Sequence, residues 1–343
     1  MVTSRVSCTI DFDGTGKRVG YLGVPHSGNE SAYQTITVPI ASLNNGVGPT
    51  VLFTGGVHGD EYEGPVALMN FVREIEAEQI QGRVIVIPNL NLPAAMAGLR
   101  CSPIDGLNLN RVFPGNPDGT VTDMIAHYVC EALLPITDVQ VDLHSGGKTL
   151  EYIPSINMEA PDDLQRARET FAALRAFGAP VALIHRSLDA GGQLTTETER
   201  RGIINLNTEL GGAGRVDRNT VVIAREGVLN LLKHFEVLAG DPRSAEQQGR
   251  APTRLAEIAD MNAYVMAPDR GLFEPFVALG EEISAGMPIG QLHYVDNLTR
   301  APWVIEATAD GFLICFRPPG RVERGDNIAI IAADLDPTKY GWG

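Results

Sequence analysis

The stretch PTVLFTGGVHGDEYEG, residues 49–64, decides how the rest of the chain is read. Its first half is a short apolar run, Val51–Phe53, bounded by Pro49 and by the Gly55–Gly56 pair. Such a run predicts a strand buried on both faces, as in a parallel sheet. Its second half puts His58 and Glu61 on the turn at that strand's carboxyl end, where open α/β sheets gather their ligand chemistry. A His and a Glu three residues apart can converge on one ion. Zinc accepts both donor types and, in catalytic sites, keeps one position for water.

Working outward, the same rhythm repeats. RVIVIPN (83–89), DVQVDLH (138–144), VALI (181–184) and IINLNTE (203–209) read as further buried strands. Helical spacing lies between them, in Leu68, Phe71, Val72 and Ile75, in Ile125, Tyr128, Val129 and Ala132, and in Val228, Leu231, Leu232 and Phe235. Pro161 suits the first turn of a helix over 161–177, and Gly178 suits its end. Strands alternating with helices predict a mixed, mostly parallel α/β sheet flanked by helices. Residues 89–119 break the rhythm with a loop rich in Asn, Pro and Gly, and a loop that long in a compact domain points to function.

Residues 1–45 read as an N-terminal β extension, 46–240 as the main α/β domain and the polar run 241–254 as a linker. Residues 255–335 read as a small all-β domain of two similar halves, 271–290 and 311–330, like a barrel-sandwich hybrid. That segment has no lysine, which excludes a biotin or lipoate carrier.

A third metal ligand is offered by His144, which ends a buried strand in VDLHSGG. With His58 and Glu61 it makes a His₂Glu set. Asp142 is two residues earlier, on the same face of the strand, and is placed to accept the outer N–H of a metal-bound imidazole, His58 foremost. Glu209, at the end of IINLNTE, is a candidate general base, with Glu151, Glu197 and Glu199 as rivals. In the long loop, Arg100 and Arg111 supply cations, Arg111 with a donor fork that suits a carboxylate and Asn110 with a further donor.

The formal charge of −15 makes nucleic acid a poor partner, since so acidic a surface repels phosphate backbones. Four cysteines without CxxC spacing argue against a disulfide framework or a cysteine metal site. No run is apolar and long enough to predict a membrane span, and MVTSRVSCTIDFDG lacks the apolar core of a signal peptide, so a cytoplasmic location is expected. A homo-oligomer is compatible with all of this.

Together, GVHGDEYEG, NLNR (108–111), DLH (142–144) and the strand-end Glu209 resemble the succinylglutamate desuccinylase/aspartoacylase family, a branch of the zinc-carboxypeptidase clan. The resemblance spans about residues 49–335 and runs nearest to the N-acetyl-diaminobutyrate deacetylases of ectoine breakdown. It implies one zinc per subunit on His58, Glu61 and His144, with Glu209 as general base and proton shuttle. It further implies that Arg100 polarises the scissile carbonyl, that Asn110 and Arg111 bind the substrate carboxylate, and that the C-terminal β-domain covers the cleft. The expected activity is hydrolysis of a small N-acyl amino acid. Alternatives are desuccinylase, aspartoacylase or carboxypeptidase action, or a non-catalytic metal-dependent binding protein. One departure stands out: family members often read DLNR, and here Asn108 takes the acidic position.

Overall fold

A computed structural model describes residues 4–185 and 191–341. The long hairpin Gly16–Gly28/Ser31–Asn45 forms one side of the main sheet. From it the strand order runs Gly82–Ile87, Thr50–Gly55, Val139–His144, Ile204–Glu209, Ser155–Glu159, Val181–His185, Arg254–Ile258 and Asn327–Asp334. Thr50–Gly55 pairs parallel with both neighbours, and Val139–His144 pairs parallel with Ile204–Glu209. Ser155–Glu159 is antiparallel to Ile204–Glu209 and parallel to Val181–His185. The sheet is therefore mixed, with a parallel core, as expected.

Alternation along the strands assigns the two faces. Val51, Phe53, Val139 and Val141 pack in one cluster with Leu68 and Phe71 of α1 (Glu63–Glu74), and with residues of two further helices, Leu164–Phe177 and Arg218–His234. Leu52 and Ile85 face the opposite cluster, which includes Leu109, Phe113 and Ile125 from the long loop and the helix Val121–Tyr128. Both faces are covered, which explains the near-continuous apolar reading of these strands.

The helix expected over 161–177 starts later, at Leu164, because Asp163 is its N-cap and accepts the Arg166 N–H at 2.7 Å. Gly178 closes it in the left-handed region, φ +77°. Within residues 89–119 the chain forms α2 (Leu92–Ala97), capped by Asn91, and a short 3₁₀ turn at Leu109–Arg111.

After residue 240 the chain re-enters the main sheet, since Arg254–Ile258 pairs parallel with Val181–His185 and antiparallel with the last strand. The two half-repeats then build opposing layers. Gly271–Pro275 pairs with Pro288–His293 in a separate four-stranded sheet, while Gly311–Phe316 pairs with Asn327–Asp334. Phe273, Ile289 and Leu292 of the first share a core with Leu313, Ile328 and Ile331 of the second. Among the described residues, no helix is long and apolar enough to cross a membrane.

Candidate metal centre and cleft

Gly56 takes φ +59° as the chain leaves the Thr50–Gly55 strand, a region that favours glycine. Gly59 lies so close to α2 that a Cβ would fall 2.0 Å from the Ala94 carbonyl carbon. These two glycines let the loop fold back and turn His58 and Glu61 inward. Asp60 faces the other way and accepts the Lys148 N–H at 3.0 Å, pinning the SGG loop that follows His144. The Gly146 N–H in turn donates to the Gly211 carbonyl, so the glycine pairs after His144 and Glu209 lie against each other.

His58, Glu61 and His144 come together, each with a ligand atom within 4.8 Å of the others, and all three are buried. The imidazole centroids are 5.1 Å apart. His58 Nδ1 is 2.7 Å from Glu61 Oε1, and His144 Nδ1 is 2.8 Å from Glu61 Oε2. Each ring's other nitrogen meets an acceptor on the outside. His58 Nε2 is 3.1 Å from Asn108 Oδ1, and His144 Nε2 is 2.8 Å from Asp142 Oδ2. With Nε2 donating outward, a neutral imidazole points its Nδ1 lone pair inward. Two lone pairs then face a carboxylate, an arrangement of acceptors that needs a cation at its centre, whether protons or a metal ion. The donor set therefore fits a divalent ion such as zinc.

The electrostatics agree. Burial alone would raise the Glu61 carboxyl, but His58 and His144 hold it well below its usual range. Burial would lower His144, but Asp142 and Glu61 outweigh it and raise the imidazole well above 6.5. Asp142 thus serves His144, its neighbour two residues along the strand, and not His58 as the sequence suggested. Strand geometry gives the reason, because residues i and i+2 share a face. Asn108, in the acidic position of the family motif, is the partner of His58 instead.

Glu209 is in register with His144 on the adjoining strand and lines the same cleft as the triad. Burial, helped by the charge of Glu61 and opposed by His144 and Arg100, pushes its carboxyl up to about 8, and Oε2 has no hydrogen-bond partner among the described residues. The rivals lie elsewhere: Glu151 pairs with Arg215, Glu197 with Arg200, and Glu199 neighbours Glu159. None of them lines the compartment that holds His58, Glu61 and His144.

Arg100 reaches Glu61 Oε1 at 3.4 Å, with its side chain 49% exposed, so it stands at the cleft mouth and not in a buried slot. Arg111 is also exposed and lines the cleft. Partial desolvation in the cleft and the nearby Arg100 charge both lower its guanidinium. Asn110 accepts the Leu194 N–H through Oδ1 at 3.0 Å, leaving its Nδ2 as the donor for a ligand.

Among the described residues, the cleft has two compartments, of about 380 and 350 Å³, which share Asn110, Arg111, His144, Tyr152, Gln193 and Glu209. The first holds the triad, and the second runs over Asn157, Thr195 and Asn207 to Tyr264 of the C-terminal region. Tyr152, Gln193 and Tyr264 carried no sequence signal. Asn207 carried one, as a polar residue two positions before Glu209 in a buried strand.

Known proteins resemble this chain over nearly its whole length. It is 41% identical over 329 residues to the N-alpha-acetyl-L-2,4-diaminobutyric acid deacetylase of Halomonas elongata, covering 96% of this chain and 95% of that protein. A crystal structure of a succinylglutamate desuccinylase/aspartoacylase from Rhodobacter sphaeroides superposes with a TM-score of 0.93 at 44% identity, covering 97% of this chain and 100% of the other. The product-bound ectoine utilization protein EutE (DoeB) of Ruegeria pomeroyi gives a TM-score of 0.92 at 38% identity, covering 96% and 99%. Residues 47–235, which carry His58, Glu61, His144 and Glu209, match the succinylglutamate desuccinylase/aspartoacylase catalytic domain, and the chain belongs to that family.

Proposed function

We propose that the protein is a zinc-dependent amidohydrolase that removes the acetyl group from N-acetyl-2,4-diaminobutyrate or a closely similar small N-acyl amino acid. The observation that carries this reading is the pair of inward Nδ1 atoms facing Glu61, with Glu209 beside them. The likeness to the Halomonas deacetylase supports the substrate class.

In this reading His58, Glu61 and His144 hold one zinc ion per chain, while Asn108 and Asp142 fix the two imidazoles from outside. A bound zinc ion supplies Lewis acidity and lowers the pKa of water toward about 7. Arg111 and the Asn110 amide take the substrate carboxylate, which brings the scissile amide between the triad and Glu209. Glu209 takes one proton from the attacking water as the new C–O bond forms. Arg100, at the cleft mouth, stabilises the negative charge that develops on the carbonyl oxygen. Glu209 then delivers the proton to the amide nitrogen as the C–N bond breaks, releasing acetic acid and the free amine. A carboxyl group poised near neutral pH can serve in both directions.

The test is a panel of N-acetyl-2,4-diaminobutyrate, N-acetylaspartate, N-succinylglutamate and a dipeptide, with zinc-loaded and chelator-treated protein. The first substrate is expected to show the highest kcat/KM, with chelator abolishing turnover and added zinc restoring it. Preference for another member of the panel would replace the substrate assignment. Absence of any hydrolysis by zinc-loaded protein would favour a metal-dependent binding role.

A further inference from the structure

Beneath the triad, three strands that otherwise read as apolar carry a row of buried polar side chains. Thr54, Gln140 and Asp142 are at most 1% exposed and Asn205 4%. Pairing sets them side by side. Thr54 is opposite Asp142, and Gln140 and Asp142 are opposite Asn205 and Asn207. The hydrogen bonds run in one sense. The Asn207 amide donates to Asn205 Oδ1 at 3.2 Å, and the Asn205 amide donates to Gln140 Oε1. Gln140 Nε2 donates to Thr54 Oγ1 at 3.0 Å, and the Thr54 hydroxyl donates to Asp142 Oδ1 at 2.7 Å. Asp142 Oδ2 is left for His144 Nε2.

We propose that Thr54, Gln140 and Asn205 are positioning residues for the metal centre: a tether, anchored in the sheet, that fixes the Asp142 carboxylate and through it the His144 ring. A buried amide or hydroxyl is costly unless bonded, and apolar residues of similar shape could replace such a pair with little loss of stability. Stability alone therefore does not call for the row. Its one-way polarity does something apolar packing cannot, because each dipole points its positive end at the Asp142 charge and bonds in such a chain strengthen one another. With Oδ1 held by Thr54, the carboxylate cannot swing away from Nε2. The far end, Asn207, bonds Thr195 at 3.0 Å in the wall of the second compartment.

This inference rests on the triad being the metal site, and its test needs no substrate. Zinc affinity is measured by competition with a chromogenic chelator, alongside thermal melting of the metal-free protein. Thr54→Val is expected to weaken zinc binding about tenfold, the lower end of what outer partners of metal ligands contribute, and Thr54→Ser, which keeps the hydroxyl, is expected to restore it. A valine variant that melts lower yet binds zinc as tightly as the unaltered protein would overturn the tether. If the valine variant fails to fold, the double substitution Gln140→Met/Asn205→Leu removes the donor to Thr54 without leaving a half-made amide pair. Its zinc affinity should fall several-fold, and an undiminished affinity overturns the proposal equally. Failure of the unaltered protein to take up zinc would instead sink the metal reading, and the tether with it.

Discussion

Glu209 sits where a carboxylate is costly, half-buried beside the charges of Glu61 and Asp142. Burial and those charges push its carboxyl from 4.5 up to about 8 in the folded, metal-free protein. Between those values the unfolded chain gives up the proton and the folded one keeps it. Stability therefore falls as pH rises through that window, and the loss is complete above about 8. Glu209→Gln removes this penalty. In metal-free protein the variant should melt higher than the unaltered chain at alkaline pH, with the difference vanishing below about pH 4. The same substitution should cut turnover roughly 10²–10⁴-fold while zinc stays bound, and near-normal turnover would remove Glu209 from the chemistry. Arg111→Lys replaces a planar fork by a point charge; a raised KM with kcat nearly unchanged is expected, and steady-state kinetics would show an unaltered KM if the carboxylate lies elsewhere. Which side chains meet at the cleft was legible in the motifs, because a shared ion would restrict residue type and spacing. Which nitrogen each acceptor serves was not: Asn108 reaches His58 across 50 residues, and only the folded loop brings them together.

At the level of elements, the strands were readable because both faces of the parallel core are buried, so strand after strand appears as an apolar run. Their polar exceptions were readable too, at a spacing of two: Gln140, Asp142 and His144 on one strand, and Asn205, Asn207 and Glu209 on its neighbour. That periodicity marks the sheet face beneath the site. The walls were not readable. Tyr152, Gln193 and Tyr264 come from three separate segments, and nothing local in each predicts that they meet. The loop carrying the first motif depends on a close approach that can be tested directly. Gly59 packs against the backbone of α2, and any side chain there must push the helix or the His58 turn aside. Gly59→Ala should cost about 1–3 kcal/mol of stability and weaken zinc binding, both measurable in one thermal series with and without metal. A variant as stable as the unaltered chain would mean that the loop and α2 separate more easily than their packing implies.

Across the whole molecule, the C-terminal strands do more than add a second layer. Arg254–Ile258 and Asn327–Asp334 extend the main sheet, and Gly311–Phe316 pairs with Glu151–Tyr152, so this region backs one cleft wall and supplies Tyr264 to another. The chain as a whole carries −15 formal charges, whereas the cleft mouth carries Arg100 and Arg111. An approaching anion therefore meets two opposing fields: repulsion from the surface at long range and attraction from the arginines at short range. Salt screens the distant charges first, since the Debye length is about 8 Å at physiological ionic strength. N-acetyl-2,4-diaminobutyrate has one carboxylate and one ammonium and is nearly indifferent to the outer field, while N-acetylaspartate carries two negative charges. Raising salt should then increase kcat/KM for N-acetylaspartate by about two- to fivefold and leave the zwitterion almost unchanged. A fall for N-acetylaspartate under the same conditions would mean that the two arginines, and not the acidic surface, set the potential that an incoming substrate feels.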